Sequence, residues 1–268
     1  MRSLATCERP AQRSAAISVR HACVRYGARE VLSDMTLDVR SGEFVCLLGP
    51  SGCGKTTLLN AMAGFVPLAS GSIEIEGVPV TGPGGDRGMV FQEYALFPWF
   101  TVAENVQYGP RLRGASREEL ERITEHYLGL VQLPNYRDYY PNQLSGGQRQ
   151  RVAIARALAN QPKILLMDEP FGALDAMTRE SLQQQLLDLW QAEPRTCIFV
   201  THSVGEAAFL AETIVVMRSQ PGRIHATIRN DNTRPRDRTS DAYFAMYRRI
   251  DRALRGEAMD EPQEVAAP

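Results

Sequence analysis

The chain has no run of about 20 apolar residues, the length a helix needs to span a bilayer, so any service to a membrane must come through docking onto other subunits. It has no paired cysteine motif either. Its five cysteines, Cys7, Cys23, Cys46, Cys53 and Cys197, form no CxxC pair and no metal-ligand spacing. Scattered, odd in number and partly inside apolar runs, they read as reduced cytosolic thiols, not a disulfide framework. An excess of charge of one sign is missing too: 30 Lys and Arg face 31 Asp and Glu, for a net charge of −1. Nothing global points to nucleic acid or an anionic bilayer as the main partner. The first sixteen residues lack the apolar core of a secretory signal. Residues 1–16 read as a disordered, solvated tail, with a transit peptide as the lesser alternative. No internal repeat is found, which argues for one copy of the main domain.

What is present is ordinary for a globular protein: 44% hydrophobic and 23% charged residues in a chain of 268, enough for one large domain or two modest ones. Short β-branched runs bounded by Gly, Pro and Asp predict strands at residues 17–20, 44–48, 72–76, 88–91, 164–167, 197–201 and 214–217. Several of them, FVCLL, ILLM and CIFV, lack polar alternation, as strands covered on both faces do. Helical patterns lie between them. Leu182, Leu186 and Leu189 mark one over residues 178–190. Residues 101–159 hold helix signals without a convincing strand, including the stripe Leu120, Ile123, Tyr127 and Leu130, and read as a helical subdomain inserted into a sheet domain. The main domain spans 17–230. Residues 231–268 follow as a polar linker around RNDNTRPRDR, an amphipathic helix marked by Tyr243, Tyr247, Ile250 and Leu254, and a disordered end from Gly256.

Three motifs carry chemistry. The run 44–48 leads into Gly49, Pro50, Ser51, Gly52, Cys53, Gly54, Lys55, Thr56 and Thr57, then a helical-looking stretch. This is a G-x-x-x-x-G-K-[ST] phosphate loop in its strand–loop–helix setting. Its glycines let backbone N–H groups turn toward phosphates, and the helix N-terminus adds a favourable dipole. Lys55 would reach the β- and γ-phosphates of a nucleoside triphosphate, and the Thr56 hydroxyl would ligate Mg²⁺. The loop dipoles and Lys55 are also expected to favour a reactive Cys53 thiolate. Second, ILLMDEP places Asp168 at the C-terminal edge of an apolar strand, where α/β sheets bind ligands, and Glu169 beside it as a general base for water. Third, LSGGQ supplies Ser145, Gly146, Gly147 and Gln148. Ser145 is a good helix N-cap, and the same geometry of hydroxyl, glycine amides and helix dipole suits an anion.

A phosphate loop, LSGGQ and a DE-terminated strand in this order resemble the ABC ATPases. That resemblance implies an α/β P-loop NTPase fold with a mixed sheet, an N-terminal antiparallel β-subdomain and an inserted α-helical subdomain. It implies two subunits packed head to tail, with each LSGGQ closing on the nucleotide of the other. It also implies an aromatic on adenine at Tyr26, a Mg²⁺- and water-contacting glutamine at Gln92, an interface loop at Asp175 and a γ-phosphate-sensing histidine at His202. One position departs from the pattern: Ser203 stands where the family usually has Asp, so a carboxylate is missing there. His21, His126 and His225 match nothing and read as surface or strand residues.

Residues 92–110, 172–190 and 201–224 are similar to the importer ATPases for nitrate, sulfonate, taurine and bicarbonate. The resemblance implies a peripheral subunit on the cytoplasmic face of the cell membrane. Its partners would be a second copy or a paralogous ATPase, integral permease subunits and, indirectly, a solute-binding protein, with no nucleic acid. Leu96, Phe97, Pro98 and Trp99 form an apolar cluster in a loop and read as a permease-facing surface. The alternative, a soluble ABC ATPase of DNA repair or translation, would call for a long coiled-coil insert or tandem nucleotide domains, and this chain has neither. An exporter's nucleotide domain would carry a different style of helical subdomain.

Overall fold

The computed structural model describes residues 15–172 and 174–257; most of the tail expected at 1–16 and of the end expected after Gly256 lies outside them. Two sheets organise the chain. One is antiparallel, built from β1 (Ala15–Tyr26), β2 (Arg29–Arg40), β4 (Ser70–Ile75) and β5 (Val78–Pro79), in the order β2-β1-β4-β5. The other has the order β10-β9-β3-β8-β7-β6, built from β3 (Phe44–Leu48), β6 (Arg87–Val90), β7 (Ile164–Asp168), β8 (Thr196–Thr201), β9 (Thr213–Arg218) and β10 (Arg223–Arg229). Neighbours in this sheet are parallel except β10, which returns antiparallel to β9, so the sheet is mixed.

The runs without polar alternation are the central strands. Every residue of β3, β7 and β8 is buried. Their side chains divide by the two-residue period of a strand. Phe44, Cys46, Leu48, Met167 and Phe199 enter one core with the helices, while Val45, Leu47, Leu166, Ile198 and Val200 enter a second core with the antiparallel sheet. Between β3 and β4 runs α1 (Lys55–Ala63), which covers the second core. The phosphate-loop strand is thus clamped from both sides of the sheet plane as well as by β8 and β9.

Residues 101–159 fold as α2 (Val102–Leu112), α3 (Arg117–Leu130) and α4 (Gly146–Ala159), with short 3-10 turns between α3 and α4. Each helix starts on a side-chain cap: Thr101 with a capping box to Glu104, Ser116 to the Glu119 amide, and Ser145 with a capping box to Gln148. Caps of this kind satisfy first-turn amides that the helix itself leaves free. On α3, Leu120 and Tyr127 are buried, and Ile123 and Leu130 are partly covered. Then α5 (Ala176–Ala192) follows β7, and α6 (Val204–Leu210) follows β8.

The end of the described chain corrects two expectations. On α7 (Asp241–Arg255) the buried stripe is Tyr243, Met246, Ile250 and Ala253, while Tyr247 faces outward and Leu254 is only partly covered. More notably, the polar stretch before it is no free linker. Arg236 is 8% exposed, and its guanidinium donates to the carbonyls of Phe209 and Ala211 at 2.9 and 2.7 Å. Arg234 donates to the Leu210 carbonyl at 2.6 Å and lies over the Trp190 ring. Three successive carbonyls at the end of α6 are left over by the helix, and fixed cationic forks satisfy them.

Candidate functional site

The site is built where β3, β7 and β8 end. Leu48 runs into the phosphate loop, whose turn needs left-handed backbone at Gly52 (φ 78°) and Gly54 (φ 97°); glycine adopts that region at little cost. Gly49 must be glycine for a different reason. A Cβ there would stand 2.6 Å from the Met217 carbonyl and 2.7 Å from the Cys53 sulfur. Gly54 is the N-cap of α1 and offers no side chain to its first amides, and that first turn holds no acidic residue. A helix start of this kind leaves N–H groups and dipole available to an anion. Lys55 is buried and donates from Nζ to the carbonyls of Gly49 at 2.8 Å and Pro50 at 3.1 Å. A single ammonium is therefore held inside the loop that the backbone amides form.

Thr56, next in sequence, donates its hydroxyl to Asp168 Oδ1 at 2.9 Å. This bond links the phosphate loop to the end of β7 across 112 positions of sequence. Burial pushes the Asp168 carboxyl above its ordinary value, against the Thr56 bond that pulls it down. Glu169 follows with a left-handed backbone (φ 42°), uncommon for a residue with a side chain. That turn swings its carboxylate to His202, whose Nδ1 lies 3.2 Å from Glu169 Oε2. A Cβ built on Gly172 would lie 3.9 Å from both the Gln92 amide nitrogen and Glu169 Oε2, which sets Gln92 on the same small volume. Lys55, Thr56, Asp168, Glu169, Gln92 and His202 therefore converge.

The thiol expectation is overturned. Cys53 is buried against Gly49, and burial pushes its thiol up despite the nearby Lys55. Desolvation of the thiolate outweighs the loop's attraction for it.

The remaining motif residues lie on other elements. The Ser145 hydroxyl accepts from the Gln148 amide at 3.3 Å, and the Gln148 side-chain oxygen accepts from the Ser145 amide at 2.8 Å. Gly146 approaches the Tyr94 hydroxyl and Leu174, and Gly147 approaches Thr178 on α5. Asp175 caps α5 by accepting from the Thr178 amide at 3.0 Å, which holds its carboxyl below the ordinary value. Tyr26 ends β1 in the antiparallel sheet with 54% of its surface exposed. Ser203, which departs from the family pattern, serves locally. Its side chain accepts from the Glu206 amide at 3.3 Å and caps α6. Asp and Ser both make good N-caps, so the exchange keeps the helix start.

Three supporting residues carry no signal in the sequence. Arg156 on α4 donates to the carbonyls of Tyr94 and Ala95 at 3.2 and 2.5 Å and thereby holds the loop after Gln92, where both residues have left-handed φ. Asn105 on α2, fully buried, binds the Phe97 backbone at both its N–H and its carbonyl. Arg179 on α5 grips the carbonyls of Phe171 and Leu174 around the loop before Asp175. Each is a polar side chain on a helical face, which spacing alone reads as solvated.

A family model described as ABC transporter matches residues 32–172. The chain belongs to the ABC transporter family. It is one of the family's ATPase chains, similar to the nitrate import ATP-binding protein NrtD of Synechocystis sp., 44% identical over 250 residues and covering 90% of this chain and 94% of that one. It is 49% identical over 213 residues to the taurine import ATP-binding protein TauB of Jannaschia sp., covering 80% of each. Among solved structures it resembles a dimeric ATP-binding cassette in a post-hydrolysis state bound to ADP and Pi, with a TM-score of 0.71 and 32% identity over 81% of this chain and 100% of that one. The ABC ATPase fold expected from the motifs is therefore the fold observed.

Proposed function

We propose that this ABC ATPase drives an importer for a small solute, of the oxyanion class that includes nitrate, sulfonates and taurine, by closing as a dimer around ATP beneath separate permease subunits. The observation that carries the reading is the junction of phosphate loop and β7 through Thr56 and Asp168, with Glu169 and His202 touching beside it. In this reading the loop amides and Lys55 bind the phosphates, with the Lys55 ammonium exchanging its two carbonyl partners for phosphate oxygens. Tyr26 stacks on adenine. Glu169 takes the proton from the attacking water, and His202, tethered to Glu169, meets the γ-phosphate. Ser145 and Gly147 of the second copy complete the site, and Asp175 lies at the dimer junction.

The donors Thr56 Oγ1, Asp168 Oδ and the Gln92 carboxamide oxygen are hard oxygen ligands, few in number, as suits Mg²⁺ that shares its shell with phosphates. Mg²⁺ bound there supplies charge neutralisation for the transferred phosphoryl group. Among the described residues no cluster of three His, Cys, Asp or Glu offers a self-sufficient metal cage, and no helix is long and apolar enough to cross a membrane. Nothing favours the DNA-repair or translation alternative.

Glu169→Gln removes the base while keeping shape. It is expected to abolish hydrolysis and to trap an ATP-bound dimer, read by size-exclusion chromatography in ATP; a variant that remains monomeric would sink the two-subunit site. The cargo is tested by deleting the gene and measuring growth on taurine, alkanesulfonates or nitrate as sole sulfur or nitrogen source. Growth unaffected on all of them rejects the oxyanion assignment, and pyrimidine precursors or other small organics would then be tried.

A further inference from the structure

His202 stands between β8 and the start of α6, and α6 is held at both ends by the segment that follows β10. At its C-terminal end Arg234 and Arg236 occupy the free carbonyls of Phe209, Leu210 and Ala211. At its N-terminal end a chain of hydrogen bonds, buried at its centre, runs back to the same segment. Arg238, whose guanidinium lies over the Phe209 ring at 3.8 Å, donates to the Gln183 side-chain oxygen at 2.5 Å. The Gln183 carboxamide nitrogen donates to Glu206 Oε1 at 2.9 Å. The Thr201 hydroxyl donates to Glu206 Oε2 and accepts from the Ser203 amide at 3.0 Å. Gln183, Glu206 and Thr201 are all buried, so water cannot replace a lost partner cheaply. The two residues flanking His202, Thr201 and Ser203, are thus tied to each other and to Arg238.

We infer that Arg238 is a positioning residue for hydrolysis: through Gln183 and Glu206 it sets the Thr201–Ser203 turn that aims His202. The segment after β10 is then part of the hydrolytic apparatus, not a passive lead into α7. Each link of the chain hands on to the next and both Glu206 oxygens are used, so an altered partner at Arg238 is passed along and not absorbed. The stacking of Arg238 on Phe209 fixes the guanidinium independently of the Gln183 bond. Tyr243 on α7 adds a second tie, donating to the Gly205 carbonyl at 3.2 Å. The inference rests on His202 acting at the γ-phosphate, as proposed above.

The test uses the full chain and steady-state ATP hydrolysis with Mg²⁺. Arg238→Leu keeps an apolar cover over Phe209 and removes the donor; Gln183→Leu breaks the next link. Each is expected to lower kcat about tenfold while KM for ATP and binding of a fluorescent ATP analogue stay close to wild type. Tm holds in Arg238→Leu, whose side chain is partly exposed, and falls in Gln183→Leu, which leaves the buried Glu206 Oε1 without its partner. The double variant is expected to fall no further than either single, because both cut one chain. Thr201→Val, nearly isosteric, should lose kcat similarly, and Thr201→Ser should restore it. An unchanged kcat in Arg238→Leu, single losses that multiply, or nucleotide binding that falls in step with kcat would each overturn the inference. A wild-type chain without Mg²⁺-dependent hydrolysis would instead defeat the functional reading itself.

Discussion

At Cys53 two forces oppose each other, and their balance is not visible in the motif. The loop amides and Lys55 attract negative charge, but the sulfur is packed under Gly49 and the cost of burying a thiolate prevails. Native protein treated with a neutral alkylating reagent should therefore label Cys23, which is partly exposed, well before Cys53, with hydrolysis retained. Because burial raises the Cys53 thiol, its labelling should keep accelerating as pH rises beyond the range where an ordinary thiol has already ionised. Peptide mass spectrometry over time checks this; early labelling of Cys53 would show that the loop opens readily. At the same scale, Lys55, Thr56, Asp168 and Glu169 are legible in the sequence because their spacing around strands carries the chemistry. Arg156, Arg179 and Asn105 are not legible, since each acts through backbone carbonyls or amides of an irregular loop, and no periodicity records such partners.

Elements divide by how they are covered. Strands β3, β7 and β8 announce themselves because burial on both faces demands an unbroken apolar run. Strands β2 and β10 carry a different signal, period-2 alternation with polar or charged residues between, as in Met35, Leu37 and Val39 along β2, and a reading built on unbroken β-branched runs passes over them. The α7 stripe is displaced because Tyr247 and Leu254 look as apolar as Met246 and Ala253, and only packing against α6 and β9 decides which face turns inward. Capping gives this scale its own test. Ser145→Ala should cost about 1 kcal/mol of stability by uncapping α4. Ser145→Asn should restore Tm, since Asn also caps, yet should leave hydrolysis low if the serine serves the nucleotide of a second copy. Recovery of both together would reduce Ser145 to a cap.

Over the whole molecule, the proposed function makes this chain one half of a shared site, and we propose the loop after Gln92 as its permease contact. Trp99 is 68% exposed and packs with Phe97, Phe100 and Tyr108 in an aromatic cluster, with ring centroids 4.6 Å apart for Phe97 and Tyr108. The cluster is rigidly mounted, because Asn105 and Arg156 bind the backbone and ring beneath it. Such an exposed apolar patch on a fixed base fits a permease contact. Phe97→Ala with Trp99→Ala should release the chain from membranes in a fractionation assay while nucleotide affinity holds; retained membrane binding with lost nucleotide binding would reject it. The position of β3 has a consequence of another kind. Its neighbours β8 and β9 lie far downstream, ending at Thr201 and Arg218, whereas α2, α3 and α4 contact one another locally. During synthesis the helical insert can form while FVCLL still has neither partner strand. The ribosome must therefore deliver nearly the entire cassette before the phosphate loop has a wall to stand on, so one of the first segments made is among the last to become an ATP site.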